Sequence, residues 1–180
     1  MIYMVECSFT DPQCEQEWND YYSGPKLDQV LSVPGFKTSQ RFRAVDDKPC
    51  PYLAMHTVSS LSVLEGQNYK GGGGGSFGPW QSFITDWRRS FYSQSDEAPD
   101  VPLGSHFAVT DLTPTEVQAL DLPFLWLRAA GLEATPQRGL ARLTNDQTKT
   151  LIANIPSGIR IYTPLMARRS EFPHKAVGAD

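Results

Sequence analysis

Residues 34–58 read Pro34-Gly35-Phe36-Lys37-Thr38-Ser39-Gln40-Arg41-Phe42-Arg43-Ala44-Val45-Asp46-Asp47-Lys48-Pro49-Cys50-Pro51-Tyr52-Leu53-Ala54-Met55-His56-Thr57-Val58. Pro34-Gly35 turns the chain. Phe36 to Val45 then predicts a strand, Asp46-Asp47-Lys48-Pro49 a turn, and Tyr52 to Val58 a second strand. The connection is short, so the two form an antiparallel hairpin.

On the N-terminal side of this hairpin, Ile2 to Phe9 predicts another strand, in which Tyr3, Val5, Cys7 and Phe9 alternate with Ile2, Met4, Glu6 and Ser8. Thr10-Asp11-Pro12 starts a helix, with Glu15 and Glu17 complementing its positive end. Cys14, Trp18, Tyr21, Tyr22 and Pro25 recur at three- and four-residue steps and share one stripe. Gly24-Pro25 breaks or kinks that helix. A shorter helical piece, Lys26 to Ser32, leads back to Pro34.

On the other side, Ser62-Val63-Leu64-Glu65 matches a capping box. Gly71 to Gly75 is a run of five glycines, either a plain surface loop or a lid over a pocket. It lacks the sequence that cradles phosphates. From Phe77 to Tyr92 the spacing of Phe77, Trp80, Phe83, Trp87 and Phe91 predicts an apolar helical face. Residues 96–104 are polar and proline-rich and read as a linker between residues 1–95 and 105–180. Beyond it, His106 to Leu112, Arg138 to Thr144 and Ile159 to Met166 predict strands, the last ended by Pro164. Phe124 to Ala130 predicts a helix. Gly35 to Arg41 can be laid on Gly131 to Arg138 with one insertion, which suggests a degenerate internal repeat.

The chain has 180 residues, enough for one domain or two small ones sharing a core. Hydrophobic residues make up 40% and charged residues 20%, a folding composition. Fourteen glycines and fourteen prolines argue against a helical bundle. With a net charge of -4 there is no basic excess to meet phosphates, so nucleic acid is not an expected partner. No apolar run approaches the roughly 18 residues of a membrane span. The N-terminus lacks a basic segment and meets Glu6 early, unlike a signal peptide. Cys7, Cys14 and Cys50 are an odd number without paired spacing, which predicts free thiols in a cytoplasmic protein. His106 and His174 are isolated, so no metal site is expected and neither is a good haem ligand. No nucleophile-elbow sequence is present.

Trp18-Asn19-Asp20-Tyr21-Tyr22, Pro34-Gly35-Phe36, Arg41-Phe42-Arg43 and Tyr52-Leu53-Ala54-Met55-His56 together resemble the dimeric α+β barrel superfamily, near its EthD-like and stress-responsive members. The match covers about the first 65 residues. It departs at Lys26, where those proteins often carry a histidine. The resemblance implies an α+β fold built from ferredoxin-like units, each an antiparallel sheet with helices on one face. Two such sheets then pack into a barrel. The second half of this chain supplies the second sheet, or a homodimer does.

In that strand order His56 lies between Glu6 and Arg41. If all three face the barrel cavity, Glu6 orients His56, His56 acts as general base, and Arg41 holds a carboxylate or developing enolate. This suits cofactor-independent isomerisation, cyclisation or elimination on an aromatic, polyketide-like or lactone-like carboxylate. Arg43, on the face of Arg41, can take its place. The same three residues also fit a structural ion pair beside a core histidine. Trp18, Tyr22, Trp80 and Trp87 are either core packing or an apolar pocket wall for the substrate. Lys26 is either solvated or at the pocket mouth. The other function class is a non-catalytic barrel that binds an apolar small molecule or mediates assembly. A cavity lined by Glu6, Arg41 and His56 marks the enzyme, and a filled barrel marks the module.

Overall fold

The computed structural model describes residues 1–71, 74–132 and 135–171. The first half contains β1 (Ile2–Phe9), α1 (Glu15–Tyr21), α2 (Leu27–Leu31), β2 (Phe36–Ala44), β3 (Tyr52–Val58), α3 (Ser62–Glu65), α4 (Gln67–Gly71) and β4 (Ile84–Ser93). Its strands run in the order β4-β1-β3-β2. The second half contains β5 (His106–Thr110), β6 (Leu125–Leu132), β7 (Gln137–Leu143), α5 (Asn145–Ala153) and β8 (Ile159–Pro164). Its order, β6-β7-β5-β8, repeats the first with each strand in the equivalent place.

The two ferredoxin-like halves close on each other through two antiparallel seams. At one, Phe91 faces Gly131 as β4 pairs with β6. At the other, Phe42 faces Pro164 as β2 pairs with β8. An eight-stranded barrel results, closed within one chain. A short β9 (Arg169–Ser170) adds to the start of β2 at Thr38 and Ser39.

Alternation decides which residues fill the barrel. Ile2 and Met4 of β1, Phe42 of β2, Leu53 and Met55 of β3, Phe107 and Val109 of β5, Leu140 of β7 and Tyr162 of β8 form one interior core. The opposite set on the first half (Tyr3, Val5, Cys7, Phe36, Tyr52, Ala54, Val58) packs under Trp18, Tyr22, Leu27 and Val30 of the helical layer. The outer face of the second half is covered separately, around Val117, Leu143, Ile159 and Ile161.

The chain departs from its sequence reading in several places. Phe77 to Tyr92 is not one helix. A 3-10 turn, Gly78–Phe83, takes the three-residue spacing, and β4 takes the rest. Trp87 and Phe91 are four apart, an even number, so one strand face accommodates them as well as a helix does. Phe124 to Ala130 contributes the strand β6, which is paired on both sides. α5 was not expected; Thr144 and Gln147 form its reciprocal capping box. At Gly24-Pro25 the helix widens into a π-turn, Tyr22–Lys26, which absorbs the donor that proline lacks. The internal repeat is real in topology but not in the alignment of Gly35 with Gly131, since Gly35 precedes β2 and Gly131 lies near the end of β6.

Residues 96–104 are not a free linker. Ala98 and Val101 belong to the barrel core. Gln40 clamps Val101 from both sides: its Nε2 donates to the Val101 carbonyl at 2.7 Å, and its Oε1 accepts from the Val101 N–H at 3.1 Å. The segment plugs one barrel mouth. Of the glycine run, Gly72 and Gly73 lie outside the described residues, as does His174.

Candidate functional site

Register builds the site. Tyr3 of β1 and Ser39 of β2 both pair with His56 of β3, so the three side chains form a row on the helix-facing side of the sheet. The His56 ring stacks on Tyr3 at 5.5 Å and meets Phe36 edge-on at 5.6 Å. Its Nδ1 lies 2.8 Å from Ser39 Oγ. The Tyr3 hydroxyl lies 3.1 Å from that of Tyr69 on α4. The π-turn brings Tyr22 and Lys26 over this row, and Gly75, Phe77 and Trp87 complete the wall. The free space among these residues is about 20 Å³, room for about one water.

Burial sets the electrostatics. It pushes His56 down to about 3, with the Lys26 charge adding to the effect, so the imidazole is neutral at physiological pH. Burial also lowers Lys26 to about 8 and raises the phenols of Tyr3, Tyr22 and Tyr69. Lys26 is buried in the pocket wall, not solvated.

The three residues expected to share a cavity are separated. His56 and Arg41 face the helices, and Glu6 faces the barrel interior. The cause is alternation: the large apolar set Ile2, Met4, Phe42, Leu53 and Met55 claims the inside, which turns His56 and Arg41 outward. Neither is left unpaired there. Arg41 donates from Nη1 to the Asn19 carbonyl at 3.0 Å and to Ser23 Oγ at 2.8 Å, and from Nη2 to Asn19 Oδ1 at 2.9 Å. Its guanidinium stacks 4.1 Å over Tyr22 and 4.8 Å over Trp18. Burial lowers it to about 10. Arg41 is therefore a strut between sheet and α1, not a carboxylate anchor in the His56 cavity.

Glu6 accepts from Arg138 Nη1 at 2.8 Å, and Arg138 also grips both oxygens of Asp111 at 2.8 and 3.0 Å. This ion network lies inside the barrel end. Arg43 is exposed, 6.0 Å over Tyr52, and cannot replace Arg41. Trp18 is fully buried and stacks on Phe9 at 4.6 Å, as core packing. Trp80 packs edge-on to Phe9 at 6.3 Å. Of the expected aromatic wall, Tyr22 and Trp87 line the His56 pocket.

Tyr3, Ser39 and Tyr69 were missed as site residues. The first two were within reach, because the strand order and the short hairpin turn place them beside His56. For Tyr69 the sequence carried no signal. Among the described residues no cluster of His, Cys, Asp and Glu could hold a metal, and no helix is long and apolar enough to cross a membrane. Cys7, Cys14 and Cys50 are free.

No family model matches the sequence, and no curated protein does. Solved structures do match. One, an anthrone oxidase-like protein, superposes with a TM-score of 0.56 at 14% identity, covering 99% of this chain and 96% of that one. Another, a provisionally named monooxygenase from Fusobacterium nucleatum, gives 0.52 at 10% identity, covering 96% and 94%. The chain has the dimeric α+β barrel fold. In this α+β barrel a single chain supplies both sheets, and the coverage shows that the whole chain, not one half, follows the fold. The middle of the barrel is packed. Its ends carry an apolar recess of about 290 Å³ beside Val101 and a polar one of about 370 Å³ beside Glu6.

Proposed function

We propose that the sheet–helix pocket of the first half binds an aromatic small molecule and that His56 moves a proton on it without a cofactor. The observation that carries this reading is the buried imidazole, hydrogen-bonded at Nδ1 to Ser39 and walled by Tyr3, Phe36 and Tyr22. With Nδ1 engaged, Nε2 is the nitrogen that a ligand meets. For a carbonyl substrate, the C–H bond next to the carbonyl breaks, its proton goes to Nε2, and the electron pair becomes an enolate. Lys26 and the Tyr3–Tyr69 hydroxyl pair face that charge. Negative charge arriving in the pocket raises the affinity of His56 for the proton. Return of the proton at another carbon completes an isomerisation. The anthrone oxidase-like neighbour suggests polycyclic aromatic ketones as ligands to try.

A second reading has an observation of its own. The packed barrel core and the one-water cavity favour a non-catalytic barrel, since a ligand larger than water needs the pocket wall to move. One experiment separates the two. 1-Tetralone, 2-tetralone and anthrone, each with an acidic C–H conjugated to its carbonyl, are screened by thermal shift, and any that stabilises is tested for solvent deuterium exchange at carbon. The enzyme reading expects exchange that falls by about 10²–10⁴ in His56→Gln while binding persists. Binding without exchange selects the non-catalytic barrel. No stabilisation by any probe contradicts both.

A further inference from the structure

The polar recess at the barrel end gives Glu6 a setting that the proton-transfer reading does not use. It lies where β5 ends and β8 begins, beside the turn between β2 and β3. Its volume of about 370 Å³ is ample for a small metabolite. Lys48, Arg88, Arg138 and Arg160 line it, against Glu6 and Asp111. Asp46, bonded to Arg160 at 2.9 Å, is a third carboxylate close by. One positive charge is left over.

These cations are not equivalent. Arg138 is buried and spends its donors on Glu6 and Asp111. Arg160 spends Nη1 on the carbonyls of Pro49 and Cys50 and Nη2 on Asp46. Its Nε has no partner among the described residues. Arg88 and Lys48 are different. Arg88 Nη2 stands 3.6 Å from Glu6 and Lys48 Nζ 3.8 Å from Asp46, both beyond hydrogen-bond length. Their side chains are 51% and 59% exposed at the rim. Arg88 also has a side-chain hydrogen bond with Cys50, which leaves its other donors for a ligand. The floor, Arg138 and Arg160 against Glu6, Asp111 and Asp46, thus carries one net negative charge, and the two positive charges of Arg88 and Lys48 sit on exposed arms at the opening. A recess with protein walls screens that charge less than an open surface does.

We propose that this barrel-end recess binds a small oxyanion, carboxylate or phosphate, between Arg88 and Lys48. Glu6 is then a positioning residue. It fixes Arg138 at the floor and keeps the net charge low enough for the barrel end to stay packed.

Calorimetric titration at low ionic strength, with inorganic phosphate and separately with succinate, tests this on the full chain. Chloride at matched ionic strength is the control. The wild type should show saturable one-to-one binding of at least one anion, at least tenfold tighter than the Lys48→Ala/Arg88→Ala double variant. Binding of phosphate alone assigns phosphate chemistry, and binding of succinate alone assigns carboxylates. Both substituted side chains are exposed, so the fold persists, as an unchanged melting temperature verifies. Saturation by neither anion, equal binding by the double variant, or displacement by matched chloride overturns the proposal.

Discussion

Ser39 Oγ and His56 Nδ1 lie 2.8 Å apart across the β2–β3 pair, inside the layer between the sheet and the helices. The contact ties function to register. A one-residue slip of β3 against β2 turns His56 into the barrel, beside Met4 and Phe42, and leaves Ser39 on the helix-facing side. It also restricts the imidazole. Proton uptake at Nε2 needs that nitrogen unprotonated, which requires Nδ1–H to donate to Ser39.

Neutral His56 makes stability depend on pH. Burial, helped by Lys26, holds its folded value at about 3, against an unfolded value near 6.5. Between these values the unfolded chain takes a proton that the native ring refuses. Stability is therefore complete above about pH 6.5 and falls as pH drops toward 3, by up to about 1.4 kcal/mol per unit. Urea unfolding at pH 7, 6, 5 and 4 should show this slope in the wild type and a shallower one in His56→Gln. Parallel curves would mean that His56 is protonated in the fold.

Arg41 tests as a strut. Arg41→Met removes three hydrogen bonds to α1 and the π-turn while retaining some of the stacking bulk. A loss of roughly 2–4 kcal/mol in denaturant unfolding is expected. Arg41→Lys should recover only part of it, because an ammonium cannot span Asn19 and Ser23 together. A variant as stable as the wild type contradicts this role.

The plug depends on Gln40. Gln40→Leu leaves the Val101 N–H and carbonyl without their side-chain partner, at a cost of about 1–3 kcal/mol for each buried group left unsatisfied. Limited proteolysis should then cut within residues 96–104 faster than in the wild type. Unchanged cleavage would show that Ala98 and Val101 hold the plug unaided.

Gly35 turns the chain into β2 at φ +101°, and an added Cβ would stand 2.6 Å from Val63 Cγ2 and 2.8 Å from Ser59 Oγ. Gly35→Ala should lower stability by about 1–2 kcal/mol or more, from strain and crowding together. Gly24→Ala is the control, since nothing lies within 4 Å of its Cβ position.

The first three strands were legible because they alternate and their turns are short and marked by Pro34-Gly35 and Asp46-Asp47, whereas β4 was hidden by aromatic spacing that also suits a helix. The helical layer of the first half was legible from the Trp18–Tyr22 stripe. The second half was harder. Phe124 to Ala130 carries aromatic and leucine residues that suit either a helix or a strand, and only pairing with β4 and β7 decides between them. The candidate site was half legible. His56 was found, but its direction was not, because a polar side chain on a two-sided strand points wherever the apolar set does not. Burying Arg41 looked costly from sequence alone, and the partners that make it tolerable, Asn19 and Ser23, lie on another element. Arg138, the true partner of Glu6, is 132 residues away in the chain.

The central claim is that His56 is the group that meets a ligand. Its most direct test is the side-chain nitrogen NMR spectrum of His56, recorded with and without the thermal-shift probe that stabilises the protein most. The account predicts a neutral ring with the proton on Nδ1, and a marked shift of the Nε2 resonance when the probe binds. Binding that leaves Nε2 unmoved, or a free ring carrying its proton on Nε2, would contradict it.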